Sequence, residues 1–421
     1  MMGYGYKPSL SEGAVKCPIF QTSTFVFKTA EEGKAFFEMA HGMPGHDGEE
    51  MGLIYSRINN PDMEILEERL KLWDGGEAAA AFSSGMSAIA TTMVSFLKPG
   101  DVLLFSNPIY GGTHKFIHFM LHNWGVTSIG FNASDTKADI IKLIKDNNAG
   151  DKLSMIYIET PANPTNDLID IEMCSEIAAA FSTPAKKVLV TVDNTYMGPL
   201  WQHPLKHGAD VVLYSATKYI GGHSDLIAGA AVGSRELIKN IKRSRTVFGT
   251  IIDPHTSWLM MRSLETLKIR METAASNAEK IADYLSHHEK VEKVYYLGYT
   301  KTNNPGQEAI LKKQYLSNGA MLSFDLKGGE KEAFTFLNNL NHIKLAVSLG
   351  GTESLAEHPY SMTHGDVPAE EKIKLGLTNK MVRLSIGIEN WEDLIHDIEQ
   401  ALSVVQKKES SVAQSGQLIS A

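Results

Sequence analysis

Lys218 stands in Tyr214-Ser215-Ala216-Thr217-Lys218-Tyr219-Ile220-Gly221-Gly222-His223, directly behind the apolar run Val211-Val212-Leu213. The run has the composition of a buried strand. A charged amine at the end of such a strand is costly unless chemistry consumes it, and covalent attachment to an aldehyde cofactor does that. Ser215 and Thr217 add hydroxyls that can donate to an anion beside the lysine. One strand earlier, Val188-Leu189-Val190-Thr191-Val192 ends in Asp193, 25 positions before the lysine (218 − 193 = 25). That gap holds a connection and the next strand. Pyridoxal 5'-phosphate (PLP) needs such a pair, a lysine for its aldehyde and a carboxylate that keeps its ring nitrogen protonated. A lysine in a surface loop is the competing reading of Lys218.

Two further stretches carry chemistry in their residue types. Ser83-Ser84-Gly85-Met86-Ser87-Ala88 opens a helix behind a short strand over 78–82. Free amides and the positive dipole end make such a turn a phosphate cradle, although any helix N-cap shares its appearance. Arg383 sits inside the apolar stretch Met381-Val382-Arg383-Leu384-Ser385. A bidentate bond to a substrate α-carboxylate would compensate its charge there, and so would a structural ion pair. His114, His118 and His122 recur at i, i+4 and i+8, a spacing that could line one helical face with imidazoles. No Cys, Asp or Glu stands close to complete a metal site, so no metal is expected.

These motifs resemble the PLP enzymes of cysteine and methionine metabolism, a family that includes methionine γ-lyases, cystathionine γ-lyases, cystathionine γ-synthases and O-acylhomoserine sulfhydrylases. Ser-Ala-Thr-Lys-Tyr with Gly-Gly-His-Ser-Asp behind it, and Val-Asp-Asn-Thr-Tyr ahead, carry the resemblance, which spans about 13–405. It implies roles residue by residue. Tyr55 and Arg57 would grip the cofactor phosphate of a neighbouring subunit, and the Gly85 and Met86 amides, with Ser215 and Thr217, would hold it from within. Tyr110 would lie over the cofactor ring and serve as acid or base at the leaving group. Asn163 would bond the phenolic oxygen. Ser348 would assist Arg383 at the substrate carboxylate. Val347 stands where cystathionine-handling members carry glutamate, which favours a short uncharged γ-substituent. Gly112 replaces a cysteine, and Arg245-Thr246 a Lys-Asp pair, that methionine γ-lyases carry.

The implied fold is α/β of the PLP fold type I, like aspartate aminotransferase, with a mostly parallel sheet and a smaller C-terminal α+β domain. Strands ending near 82, 105, 159, 193 and 214 alternate with helical segments and support this independently. The expected divisions are an arm over 1–60 reaching the neighbouring subunit, a PLP domain over 61–255, a C-terminal domain over 256–407 and a disordered tail over 408–421. A single long helix is expected from 256 to about 287.

Composition bounds the rest. The chain has 421 residues, 43% of them apolar, and a net charge of −9 with no basic patch of the kind that binds nucleic acid. It has no apolar stretch of about 18 residues to span a membrane. Two distant cysteines, and no secretory signal pattern at the N-terminus, suit a reducing cytoplasm. The expected activity is γ-elimination from a sulfur amino acid, methionine first or cystathionine. γ-Replacement on an O-acylhomoserine is the alternative. The expected partner is a second copy of the chain, in a tetramer built as a dimer of dimers. An aminotransferase and a non-catalytic homologue stay open. A serine hydrolase at Ser83-Ser84 is discounted, since the Gly-x-Ser-x-Gly elbow is absent.

Overall fold

The computed structural model describes residues 2–46, 51–365 and 367–406, so the expected tail over 408–421 lies outside the described residues. Among the described residues, twelve strands form two sheets. The larger has the order β1 (Ala78–Phe82), β7 (Gly229–Gly233), β6 (Val211–Ser215), β5 (Leu189–Asp193), β4 (Leu153–Glu159), β2 (Val102–Asn107), β3 (Thr127–Asn132). All its strands run parallel except β7, which pairs antiparallel with both β1 and β6. Successive residues point to opposite faces, and both faces are dry. Leu103 and Phe105 of β2 join one apolar cluster with Ile89 and Ile241, whereas Val102 and Leu104 join another with Ile144 and Ile177. Helices Gly85–Phe96 and Arg235–Phe248 cover one side, Lys137–Asp146 and Ile171–Phe181 the other.

The second sheet has the order β10 (Lys344–Leu345), β11 (Leu355–Glu357), β12 (Met381–Ser385), β9 (Met321–Leu326), β8 (Val291–Tyr295), and only the β10–β11 pair is parallel. Helices Leu267–His287 and Trp391–Ser403 pack on it through one extended apolar core that also takes in helix Pro61–Asp74. This core fixes the second sheet against the first, and so fixes Arg383 against Lys218.

The long helix expected from 256 is two helices, Pro254–Leu264 and Leu267–His287. It starts earlier because Asp253 caps it, accepting the Thr256 N–H at 3.0 Å, with Pro254 as first helical residue. It breaks because the Ser263 carbonyl has other donors. It accepts Thr266 N at 3.2 Å and Arg270 Nη2 at 2.9 Å. Arg270 is buried, and its Nη1 also donates to Tyr219 O at 2.8 Å, directly after Lys218. Gly222 has φ +67°, and a Cβ there would overlap the Arg270 guanidinium.

Candidate active site

Strand ends place the site. β5 delivers Asp193, β4 delivers Glu159, and the turn after β6 delivers Lys218. The helix start at Gly85–Met86 approaches the end of β6 closely. A Cβ on Gly85 would stand 2.7 Å from Ser215 Cβ, so glycine lets the two backbones meet. Ser84 caps that helix by accepting the Ser87 N–H at 3.0 Å. From the second sheet come Arg383 on β12 and the Val347-Ser348-Leu349 loop. Together these enclose a cavity of about 900 Å³ whose lining includes Gly85, Met86, Tyr110, Asn163, Asp193, Ser215, Thr217, Lys218, Val347, Ser348 and Arg383. Strand C-termini are where an α/β sheet offers its ligand crevice.

Electrostatics distinguish the side chains. Burial pushes the Lys218 amine down from its usual range, and Arg383 adds to the effect. Lys218 Nζ donates to Ser348 Oγ at 2.9 Å. Ser348 has φ +110°, a conformation strained for a residue with a side chain. Asp193 is 5% exposed, and burial pushes its carboxyl up. It accepts the Thr195 N–H at 3.0 Å and the Tyr157 hydroxyl at 3.2 Å. Arg383 is held from three sides. Its Nη1 meets Glu357 Oε1 at 2.7 Å and Asn163 Oδ1 at 3.1 Å, and its Nη2 donates to Ser348 O at 2.6 Å. Arg383 Nε stays buried without a partner. The ion pair is built into the sheet, because Glu357 on β11 is the register partner of Arg383 on β12.

The profile of a family described as "Cys/Met metabolism PLP-dependent enzyme" matches residues 2–403. The chain belongs to that family. The L-methionine gamma-lyase of Fusobacterium nucleatum is 43% identical over 396 residues, covering 93% of this chain and 94% of that protein. The cystathionine gamma-lyase of Bacillus subtilis is 40% identical over 391 residues, covering 93% and 94%. The crystal structure of cystathionine gamma-lyase from Lactobacillus plantarum complexed with L-serine superposes with a TM-score of 0.83 at 33% identity, covering 97% of this chain and 98% of that chain. The expected fold and family are those found, and PLP is the cofactor of the family. The cavity suits PLP on its own evidence. It offers an amine for the aldehyde, a buried carboxyl for the ring nitrogen, and amides at a helix start for the phosphate.

Some of the expected residues stand apart from the cavity. Tyr55 and Arg57 do not line the cavity. They border a separate recess with Phe25, Phe27 and Phe37, and Arg57 Nη1 donates to Thr246 O at 2.7 Å. Arg245 does not reach the cavity either. It is 1% exposed and paired with Glu67 at 2.6 Å. The Thr217 hydroxyl is engaged by the Ala228 backbone, donating to its carbonyl at 3.2 Å and accepting its N–H at 3.0 Å. The three-histidine face is distorted, because Phe116–Leu121 is wound as a π-helix. His114 and His118 lie 4.2 Å apart by ring centroid, and His118 packs edge-on against Phe105. Among the described residues, no group of three or more His, Cys, Asp or Glu is placed to hold a metal ion.

Glu159, Thr195, Tyr157 and Glu357 surround the site without having stood out in the sequence. For Glu159 the signal existed, since it ends an apolar strand just as Asp193 does. Glu357 gave none, because its partner lies across a sheet that the sequence does not register.

Proposed function

We propose that the protein carries out PLP-dependent γ-elimination on methionine, giving 2-oxobutyrate, ammonia and a thiol, with cystathionine as the next candidate. The observation that carries this reading is the pairing within one cavity of a carboxylate-binding arginine, Arg383, with an apolar wall of Val347, Ile227 and Met362. Such a wall suits a methylthio group. The 43% identity to a methionine gamma-lyase supports it.

In this reading Lys218 and Asp193 hold the cofactor's aldehyde and ring nitrogen, while Gly85, Met86, Ser215 and Thr217 face its phosphate and Asn163 its phenolic oxygen. PLP, when bound, supplies an electron sink next to Cα. Arg383 and the Ser348 backbone orient the substrate carboxylate. The Lys218 amine, with its proton affinity lowered by burial, takes the Cα proton and then moves protons at Cβ. The Tyr110 hydroxyl, on a half-exposed side chain at the cavity mouth, gives a proton to the departing sulfur.

The functional unit is proposed to be a homotetramer, a dimer of dimers, whose arm over 1–60 carries Tyr55 and Arg57 into a neighbour's cavity. Their position outside this chain's own cavity supports that. PLP and C-terminal domains over 61–255 and 256–407 complete the unit. The described residues hold no helix long and apolar enough to cross a membrane. Cys17 and Cys174 are both buried and unbridged, which supports a reducing cytoplasm.

One observation favours a second reading. Lys115 also lines the cavity, and a second cation there suits γ-replacement on a succinylated homoserine, whose acyl group carries a second carboxylate. Turnover with methionine, cystathionine, O-acetylhomoserine and O-succinylhomoserine, each with and without added thiol, separates the two. 2-Oxobutyrate from methionine without added thiol supports elimination. New thioether from O-succinylhomoserine, with no 2-oxobutyrate from methionine, refutes it in favour of replacement.

A further inference from the structure

One carboxyl group in the cavity wall has no part in the scheme above. Glu159 closes β4, and its register partner on β5 is Asp193. Partners on neighbouring parallel strands present their side chains to the same face. Both groups line the cavity, and Glu159 is 6% exposed. Glu159 Oε2 accepts the backbone N–H of Tyr110 at 2.8 Å. The backbone N–H of Asn163 lies close enough to the same carboxyl group to oppose its upward shift. The Glu159 N–H itself donates to Ser106 Oγ on β2 at 3.0 Å. One side chain thus ties the loop after β2 to the loop after β4.

We propose that Glu159 is a positioning residue whose carboxyl group fixes the backbone at Tyr110 and Asn163, and through them the phenol and amide that face the cofactor. Tyr110 needs the tether. It stands at the start of the helical stretch that opens at Gly111, and its side chain does not cap that helix.

The charge state follows from the surroundings. Burial first, and then Asp193, push the Glu159 carboxyl up to about 8. The other titratable groups facing it are Tyr157 and Tyr196, both held neutral by burial, with Arg383 beyond Asn163. Through neutral pH Glu159 therefore keeps its proton, and its carbonyl oxygen still accepts amide bonds. As pH rises through about 8 it ionises beside Asp193, and two adjacent buried charges oppose each other. A glutamine preserves the acceptor and removes the titration.

The functional consequence rests on the cavity being the cofactor site, but the tether itself does not. Hydrogen exchange of the Tyr110 amide, read on the full-length holoenzyme, therefore tests the tether apart from turnover. Glu159→Ala is expected to speed that exchange by about thirtyfold and to lower kcat by about tenfold or more. The parent is expected to lose kcat above about pH 8, where Glu159 ionises, and Glu159→Gln to keep exchange and neutral-pH kcat within about threefold of the parent and to abolish that alkaline limb. Unchanged Tyr110 protection in a folded Glu159→Ala variant would overturn the proposal. So would a glutamine variant as impaired as the alanine one, or one that keeps the alkaline limb. If Glu159→Ala yields no folded protein, the glutamine arm decides alone. Exchange changes without loss of turnover would leave the tether standing and refute its role at the cofactor.

Discussion

Arg383 shows what a residue's surroundings add to its type. In sequence it is an arginine in an apolar strand, open to a substrate carboxylate or to a structural ion pair. In the fold it makes the ion pair, with Glu357, and also lines the cavity. Glu357 is fully buried against it, and burial pushes the Glu357 carboxyl up while Arg383 opposes that shift. Substituting Glu357→Gln leaves the guanidinium buried without its counter-ion, which should cost roughly 3 kcal/mol. A bound substrate carboxylate then becomes the main counter-charge. An unreactive amino-acid analogue is therefore expected to raise the Tm of Glu357→Gln by more than it raises that of the parent. Equal shifts, read by differential scanning fluorimetry, would mean that Glu357 does not balance Arg383. Lys218 and Asp193 were legible because each breaks a local pattern, a charge at the end of an apolar run. Glu357 was not, because the cost it relieves belongs to a strand remote in sequence.

Elements explain where the reading along the chain stops. The parallel strands were legible from apolar runs bounded by polar ends, and helix Pro61–Asp74 is legible from Met63, Leu66, Leu70 and Trp73, spaced by three or four, and from the glycine after it, which adopts φ +68°. The break between Leu264 and Leu267 was not. Its cause is Arg270, whose guanidinium collects the carbonyls of Ser263, Tyr219 and Ile220. That contact joins the helix pair to the turn that presents Lys218. Burial pulls the Arg270 guanidinium down to about 10, and its hydrogen-bond partners are backbone carbonyls and the Thr266 hydroxyl. Losing hydrogen bonds from a charged donor costs about 2 to 3 kcal/mol. Arg270→Met is expected to loosen the 214–223 turn, seen as faster amide exchange there than in the rest of the large sheet. Exchange that rises uniformly, or not at all, would show that Arg270 only fills space.

At the scale of the whole molecule, two sheets joined by one apolar core bring Lys218 and Arg383 into the lining of one cavity, and Tyr55 and Arg57 of the N-terminal segment border a separate recess. Tyr55 is 40% exposed and Val26 96%, apolar surface of the kind a partner covers. If Arg57 serves a neighbouring site, Arg57→Ala and Lys218→Ala subunits, each inactive alone, should complement when co-expressed. Random pairing gives half mixed dimers with one intact site each, so about a quarter of the sites recover. No recovery in demonstrably mixed oligomers would confine Arg57 to its own subunit.

Lys218 is expected to carry the cofactor through a covalent bond. Borohydride fixes the carbon–nitrogen link between a lysine and an aldehyde, and peptide mass spectrometry then locates it. The structure predicts a phosphopyridoxyl group on the peptide containing Lys218, and none in the Lys218→Ala variant. A modified peptide containing another lysine, or a purified active enzyme with no modified peptide, would contradict the account.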